Sequence, residues 1–206
     1  MARHAKFSND DVIDAAARLA ARSGPAQVTI GAIASELSAP TGSIYHRFTS
    51  RDQLLGEVWL RTAANFQTQF AARLFAGAPR QAGLSAALLV PAFVRAEPIH
   101  ARILLLHRRE DFLHGAWPEA IAQRAQALKS DMDTGLRRFT RSALDRSDSA
   151  ALRLVKFALV DAPLAAVLPH LRSDEPPPPL VDGLIEISFC ATLDAAEKIL
   201  PRRKSS

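Results

Sequence analysis

Between Glu36 and Asp52 the chain carries no acidic residue, and Thr41, Gly42, Ser43, Tyr45, His46 and Arg47 fall inside that window, with Arg51 at its edge. Hydroxyls, an imidazole and two guanidinium groups without a competing carboxylate are donors suited to phosphate oxygens and base edges. Gly42 and Ser43 have almost no side chain, so a backbone there can come close to whatever it meets. Ile44 and Phe48 are four apart, which on a helix lets them pack inward while the polar groups face outward. The charge total adds little: 26 Lys and Arg face 21 Asp and Glu, a net +5, and residues 1–51 hold only six basic against four acidic groups. The local window, rather than the total, points to a polyanion.

Other spacings in the chain compete with it. Glu97-x-x-His100 has the carboxylate–histidine spacing of helical di-metal sites, yet no second copy exists and such sites need two. His100, His107 and His114 recur every seven residues, but seven residues of helix span about 10 Å, too far to share one ion. No metal or cofactor is expected. No nucleophile–base pair or phosphate-binding loop stands out, so an all-α enzyme is the alternative rather than the leading reading. Large aromatics with sparse polar groups, Phe66, Phe70, Phe93, His107, Trp117 and Phe157, are the candidates to line an apolar small-molecule site.

The elements that must position these groups read as helices throughout, with no alternating segment bounded by hairpin turns. Ser8 or Asn9 starts a helix to about Arg22, stopped by Gly24-Pro25. Thr29 caps a short helix with Ile30, Ile33, Ala34 and Leu37 on one side. Pro40 precedes a third at about 41–48, and Ser50 with Gln53 forms a capping box for a long fourth through about Phe75. Further helices are expected at 81–96, kinked by Pro91, at 98–109 and 118–143, at 148–168, bent or ended by Pro163 and Pro169, and at 180–200, with Ser173–Pro179 as an extended linker. A capped short helix, a tight turn and a second short helix form the helix-turn-helix layout that offers its second helix to the major groove.

The helix over 180–200 is apolar nearly all round and must be covered on two sides. Together with 148–168 it predicts a homodimer face, with Val181, Leu184, Ile187 and Ala191 at the interface. Cys190 is the only cysteine, which excludes an intrachain disulfide and favours a reducing compartment. The longest apolar run, from Ala86 to Val94, is far short of the ~20 residues of a membrane span, so no membrane partner is expected and the default address is cytoplasmic.

Thr29-Ile30-Gly31-Ala32-Ile33-Ala34, Thr41-Gly42-Ser43-Ile44-Tyr45-His46-Arg47-Phe48 and Ser50-Arg51-Asp52-Gln53-Leu54-Leu55 resemble the DNA-binding domain of TetR-type (TetR/AcrR) transcriptional regulators over residues 8–60. In its turn the chain has Ser38, Ala39 and Pro40 where that family usually has glycine, valine and a capping serine. The resemblance implies that Thr29, Ser43, Tyr45, Arg47 and Arg51 hold phosphates, that Thr41, Gly42 and His46 face bases, and that an Arg3/Lys6 arm adds contacts. It implies an all-α chain: a three-helix helix-turn-helix domain at 1–51 and a helical-bundle ligand-binding and dimerisation domain at 52–206. The expected partners are a double-stranded DNA operator, a small mostly apolar effector and a second copy of the chain. The expected role is that of a ligand-inducible repressor on a palindromic site; a DNA-binding protein without an inducer is the other alternative.

Overall fold

The computed structural model describes residues 7–112 and 117–200, so the Arg3/Lys6 arm and His114 lie outside the described residues. Among the described residues the chain is all-α, with no strand. The helices are α1 Asn9–Ser23, α2 Ile30–Leu37, α3 Thr41–Tyr45, α4 Arg51–Leu74, α5 Pro79–Ala87, α6 Leu89–Ala96, α7 Pro98–Leu106, α8 Glu119–Leu144, α9 Ser149–Lys156, α10 Ala162–Ser173, α11 Pro179–Asp194 and α12 Ala196–Ile199. None is long and apolar enough to cross a membrane.

Four departures from the expected helices trace to proline or to local capping. Pro91 has no N–H for the Ala87 carbonyl and its ring crowds that group. The helix expected at 81–96 is therefore two, α5 ending at Ala87 and α6 starting at Leu89. Pro163 deprives Leu159 in the same way, and the helix widens into one π turn, Phe157–Asp161, between α9 and α10. Pro169 does not end the segment: α10 runs on to Ser173, where Asp174 turns left-handed at φ 61°. Ser50 donates only half of a capping box. Its hydroxyl accepts from the Gln53 amide at 3.0 Å, while the Gln53 carboxamide oxygen turns to Thr49, accepting from its amide at 2.7 Å and its hydroxyl at 2.9 Å.

Packing divides the chain into two compact units, Met1–Ala64 with Ile99–Ala127, and Asn65–Pro98 with Leu128–Ser206. More of the chain therefore packs with the N-terminal helices than the stretch 1–51. The reason lies in one core: Val12, Ala16, Ile33, Ile44, Phe48, Leu54 and Val58 share it with Ile103 and Phe112. Charge ties the same unit together at its surface. Arg61 on α4 pairs with Asp14 and, at 3.2 Å, with Asp10 on α1, and Arg18 pairs with Glu36 on α2 at 2.7 Å. In the second unit Phe70, Phe93, Phe139 and Phe189 are almost wholly buried. A Cβ on Gly83 would come within 2.5 Å of the Phe139 ring and 2.7 Å of the Phe189 ring, so glycine there is a packing requirement.

Candidate nucleic-acid interface

The site begins with caps. Ser8 starts α1 through a reciprocal capping box with Asp11, whose carboxylate accepts from the Ser8 amide and hydroxyl, both at 2.7 Å. These hydrogen bonds hold the Asp11 carboxyl below its ordinary value. The Thr29 hydroxyl accepts from the Ala32 amide at 3.0 Å and starts α2. Between α2 and α3 the turn runs through Ser38 at φ 50°, the left-handed conformation for which glycine is the natural residue, and serine bears it here. Pro40 then leads into α3 with φ −63°.

Five residues cannot hold a helix by their own hydrogen bonds, so α3 depends on what it packs against. Ile44 is 1% exposed and Phe48 4%, both in the core of the first unit. Thr41, Gly42, Tyr45 and His46 are exposed on the outer side, Tyr45 at 56%. The inward–outward division expected from the four-residue spacing is present. Ser43 is half-buried, and its hydroxyl donates to the Pro40 carbonyl at 2.7 Å.

The two arginines are differently placed from the exposed residues. Arg47 donates through Nη1 to the Ser43 carbonyl at 2.9 Å and through Nη2 to the Phe7 carbonyl at 2.5 Å. Arg51 donates through Nε to the Val28 carbonyl and through Nη2 to the Pro25 carbonyl, both at 2.6 Å, and pairs with Asp52 at 3.1 Å. The Arg51 side chain is only 16% exposed. Four of their donors thus serve this unit's own backbone. The Ser43 carbonyl lies one helical turn before Arg47, but for the other three contacts the sequence carries no signal, because the acceptors are main-chain carbonyls 23 to 40 residues away.

Gly42 offers a clean test of the exposed face. A Cβ built on it meets nothing within 4 Å. Gly42→Ala is therefore expected to keep the fold and raise stability by about 0.5–1 kcal/mol, since alanine loses less backbone freedom in a helix. On a helix that reads base edges through this face the same methyl group would intrude, weakening binding to a selected duplex by roughly 1–3 kcal/mol. Thermal melting read beside duplex titration checks both signs; unchanged binding would remove Gly42 from the contact face.

The aromatic candidates for a small-molecule site are divided between the two units. In the second unit Phe66 stacks on Phe70, with centroids 6.0 Å apart, and meets Phe93 edge-on at 5.2 Å. A polar group missed in the sequence adjoins this trio along the same helices: Asn65 donates to both Glu97 carboxylate oxygens at 3.0 and 3.2 Å, and Gln69 donates to Asn65 at 3.1 Å. Asn65 and Gln69 are four apart on α4, a spacing that could have flagged them. Phe157 is separate, 48% exposed in the π turn, and lines a groove of about 540 Å³ with Arg153, Leu154, Thr192, Ile199 and Leu200. His107 and Trp117 belong to the first unit. His107 stands edge-on to Phe112, and burial holds its imidazole below the ordinary value while Asp111 pulls it upward. Trp117 meets Trp59 edge-on at 5.5 Å beneath the Arg109 guanidinium. Among the described residues no three potential metal ligands cluster.

On α11 the expected interface residues part company. Val181 is 4% exposed and turns inward with Ile185 and Phe189, the face that closes over Gly83. Leu184, Ile187 and Ala191 are exposed, and Leu180 joins them at 71%. Positions 180, 184, 187 and 191 follow the helical repeat, so the stripe is continuous.

Residues 12–58 match the family model of bacterial regulatory proteins, tetR family. No curated protein matches the chain. Among solved structures, a TetR-family transcription regulator from Shewanella is similar with TM-score 0.69 and 17% identity, over 92% of this chain and 98% of that one. A TetR-like regulator from Rhodococcus has TM-score 0.69 and 16% identity, over 95% and 99%. The fatty acid degradation regulator FadR from Bacillus halodurans has TM-score 0.67 and 15% identity, over 90% and 98%. At such identities the likeness is one of fold.

Proposed function

We propose that the chain is a DNA-binding transcription regulator, and that it is a ligand-inducible repressor that grips a palindromic operator as a homodimer; the match of residues 12–58 to the tetR-family model and the likeness of fold to TetR-type regulators support this reading. The observation that carries the reading is α3 itself. It is anchored inward by Ile44 and Phe48 and turns Thr41, Gly42, Tyr45 and His46 outward, with no carboxylate in the sequence from Leu37 to Arg51. In a dimer two such helices would read two half-sites, and the protein's two-fold axis would appear in the DNA as a palindrome.

The exposed Leu180, Leu184, Ile187 and Ala191 stripe supports the dimer, since a stripe of this kind is what a partner would cover. The effector is a small, mostly apolar molecule. Phe66, Phe70 and Phe93 are its best-supported contacts, with Asn65, Gln69 and Glu97 supplying the few polar groups such a site needs. Repression and relief are then one coupling. Operator must weaken effector binding by the factor through which effector weakens operator binding.

The test starts from a random-sequence duplex library, selected with the wild-type protein and read by footprinting. Two symmetric half-sites, centred about one helical turn or a multiple of it apart, are expected. A library that yields only random duplexes, bound with equal affinity, would end the reading as a sequence-specific repressor. A small molecule found to bind the protein should lose affinity when the selected duplex is added. An affinity unmoved by the duplex would leave a DNA-binding protein without an inducer.

A further inference from the structure

We infer that Arg51 and Arg47 act in DNA binding as positioning residues, forked clamps that hold the recognition module in shape through its backbone, and not as ligands of phosphate. The inference rests on the DNA-binding reading above and assigns these two residues a different task within it.

The geometry is specific to arginine. A guanidinium presents its donors in a rigid plane, so Nε and Nη2 together can hold two carbonyls in fixed relation. In Arg51 those carbonyls belong to Pro25 and Val28, the entrance to α2, and Val28 immediately precedes the capping Thr29. Arg51 is the first residue of α4. Its side chain therefore joins the start of α4 to the start of α2 across 23 and 26 residues of sequence. Arg47 makes the matching link on the other side. It follows the C-cap of α3 and joins the Ser43 carbonyl to that of Phe7, the residue before the Ser8 cap of α1. The turn over 46–50 that connects α3 to α4 thus has a brace at each end, one to the entrance of α1 and one to the entrance of α2.

Two further observations oppose a phosphate role for Arg51. Asp52 lies 3.1 Å from its Nη1, so the cation already has a counter-ion, and its side chain is 16% exposed, with little face left for solvent or phosphate. To bind phosphate it would have to give up two charge-assisted hydrogen bonds to the carbonyls of Pro25 and Val28, both in a part-buried setting. The braces matter because α3 has five residues, and its place in the first unit depends on Ile44, Phe48, its packing on α2 and its flanking turns.

Lysine separates the two roles, because it keeps the charge and loses the fork. The experiment takes the full-length wild type, R51K, R51Q, R47K and R47Q. Each is titrated with a duplex selected by the wild type and with a random duplex, over a salt series, at a temperature where circular dichroism shows the variant folded. A positioning residue predicts that R51K and R51Q are alike. Both lose roughly tenfold or more on the selected duplex, little on the random one, and keep the wild-type salt slope. Amide exchange should also quicken in 25–33 and 41–48 without DNA, in a variant that is still folded overall. A phosphate ligand predicts the reverse: R51K binds nearly as wild type, and R51Q loses affinity on both duplexes with a salt slope smaller by about 0.9. That second pattern, or exchange unchanged in both segments, would overturn the inference. Absence of duplex binding by the wild type would overturn it together with the DNA-binding reading, whereas slope loss confined to the glutamine variants would overturn it alone.

Discussion

Ile187→Arg is expected to convert the proposed dimer into a monomer and to lower affinity for the selected duplex by two or more orders of magnitude. The side chain is 67% exposed in one copy and sits at the middle of the stripe formed by Leu180, Leu184, Ile187 and Ala191. In the proposed dimer a guanidinium placed there would be desolvated against apolar groups, and both copies would carry the cation. Desolvation and like-charge repulsion both oppose assembly. The effect on DNA follows from linkage of two modules. Holding the second recognition helix at the second half-site multiplies affinity by roughly 10²–10⁴ without any new contact, and a monomer forfeits that factor. Sedimentation at micromolar concentration, read beside duplex titration, checks both parts. Since Ile187 is exposed in the single chain, the monomer should melt as a folded protein. A variant that remains dimeric, or a wild type that sediments as a folded monomer, would place the interface elsewhere.

Ile44→Ala should destabilise the first unit by about 2–5 kcal/mol and abolish selective duplex binding. Ile44 is 1% exposed and is one of two apolar anchors of a five-residue helix. Its truncation leaves a cavity beneath α3, and the helix has too few internal hydrogen bonds to keep its place unaided. Tyr45 is the control one residue on. Being 56% exposed, it contributes little to the core, so Tyr45→Phe should change stability by less than about 0.5 kcal/mol while removing one hydroxyl from the outward face. Denaturant unfolding and duplex titration of both variants separate anchor from contact. Equal stability of Ile44→Ala and wild type would mean that α3 is held by its braces rather than by its core residue.

What the sequence determined by itself is local. The caps at Ser8 and Thr29, the short helix pair, the inward Ile44 and Phe48, and the outward Tyr45 are all present where the residue types require them. A capping bond spans three residues and a helical face repeats every three or four, so the information lies within a few positions of where it acts. Proline was legible for the same reason, although whether it kinks, breaks or widens a helix was not. Pro91 breaks, Pro163 sits beyond a π turn, and Pro169 is absorbed.

Only the tertiary structure decided where long side chains spend their donors and which apolar face meets which. Arg47 and Arg51 have the donors of phosphate ligands, yet three of their four carbonyl acceptors are 40, 26 and 23 residues away and fold alongside them. Val181 and Ile187 look alike on a helix apolar nearly all round; Phe189 and Gly83 settle that the first turns inward, while the second is left exposed. The aromatic candidates separate for the same reason, since α7 shares a core with α1 and α4 while Phe66, Phe70 and Phe93 form a cluster of their own. A flexible side chain reaches several ångströms in any direction, and a helix apolar on two sides has no preferred one. Choice among those partners is made by the packing of segments distant in the chain, which periodicity along it does not encode.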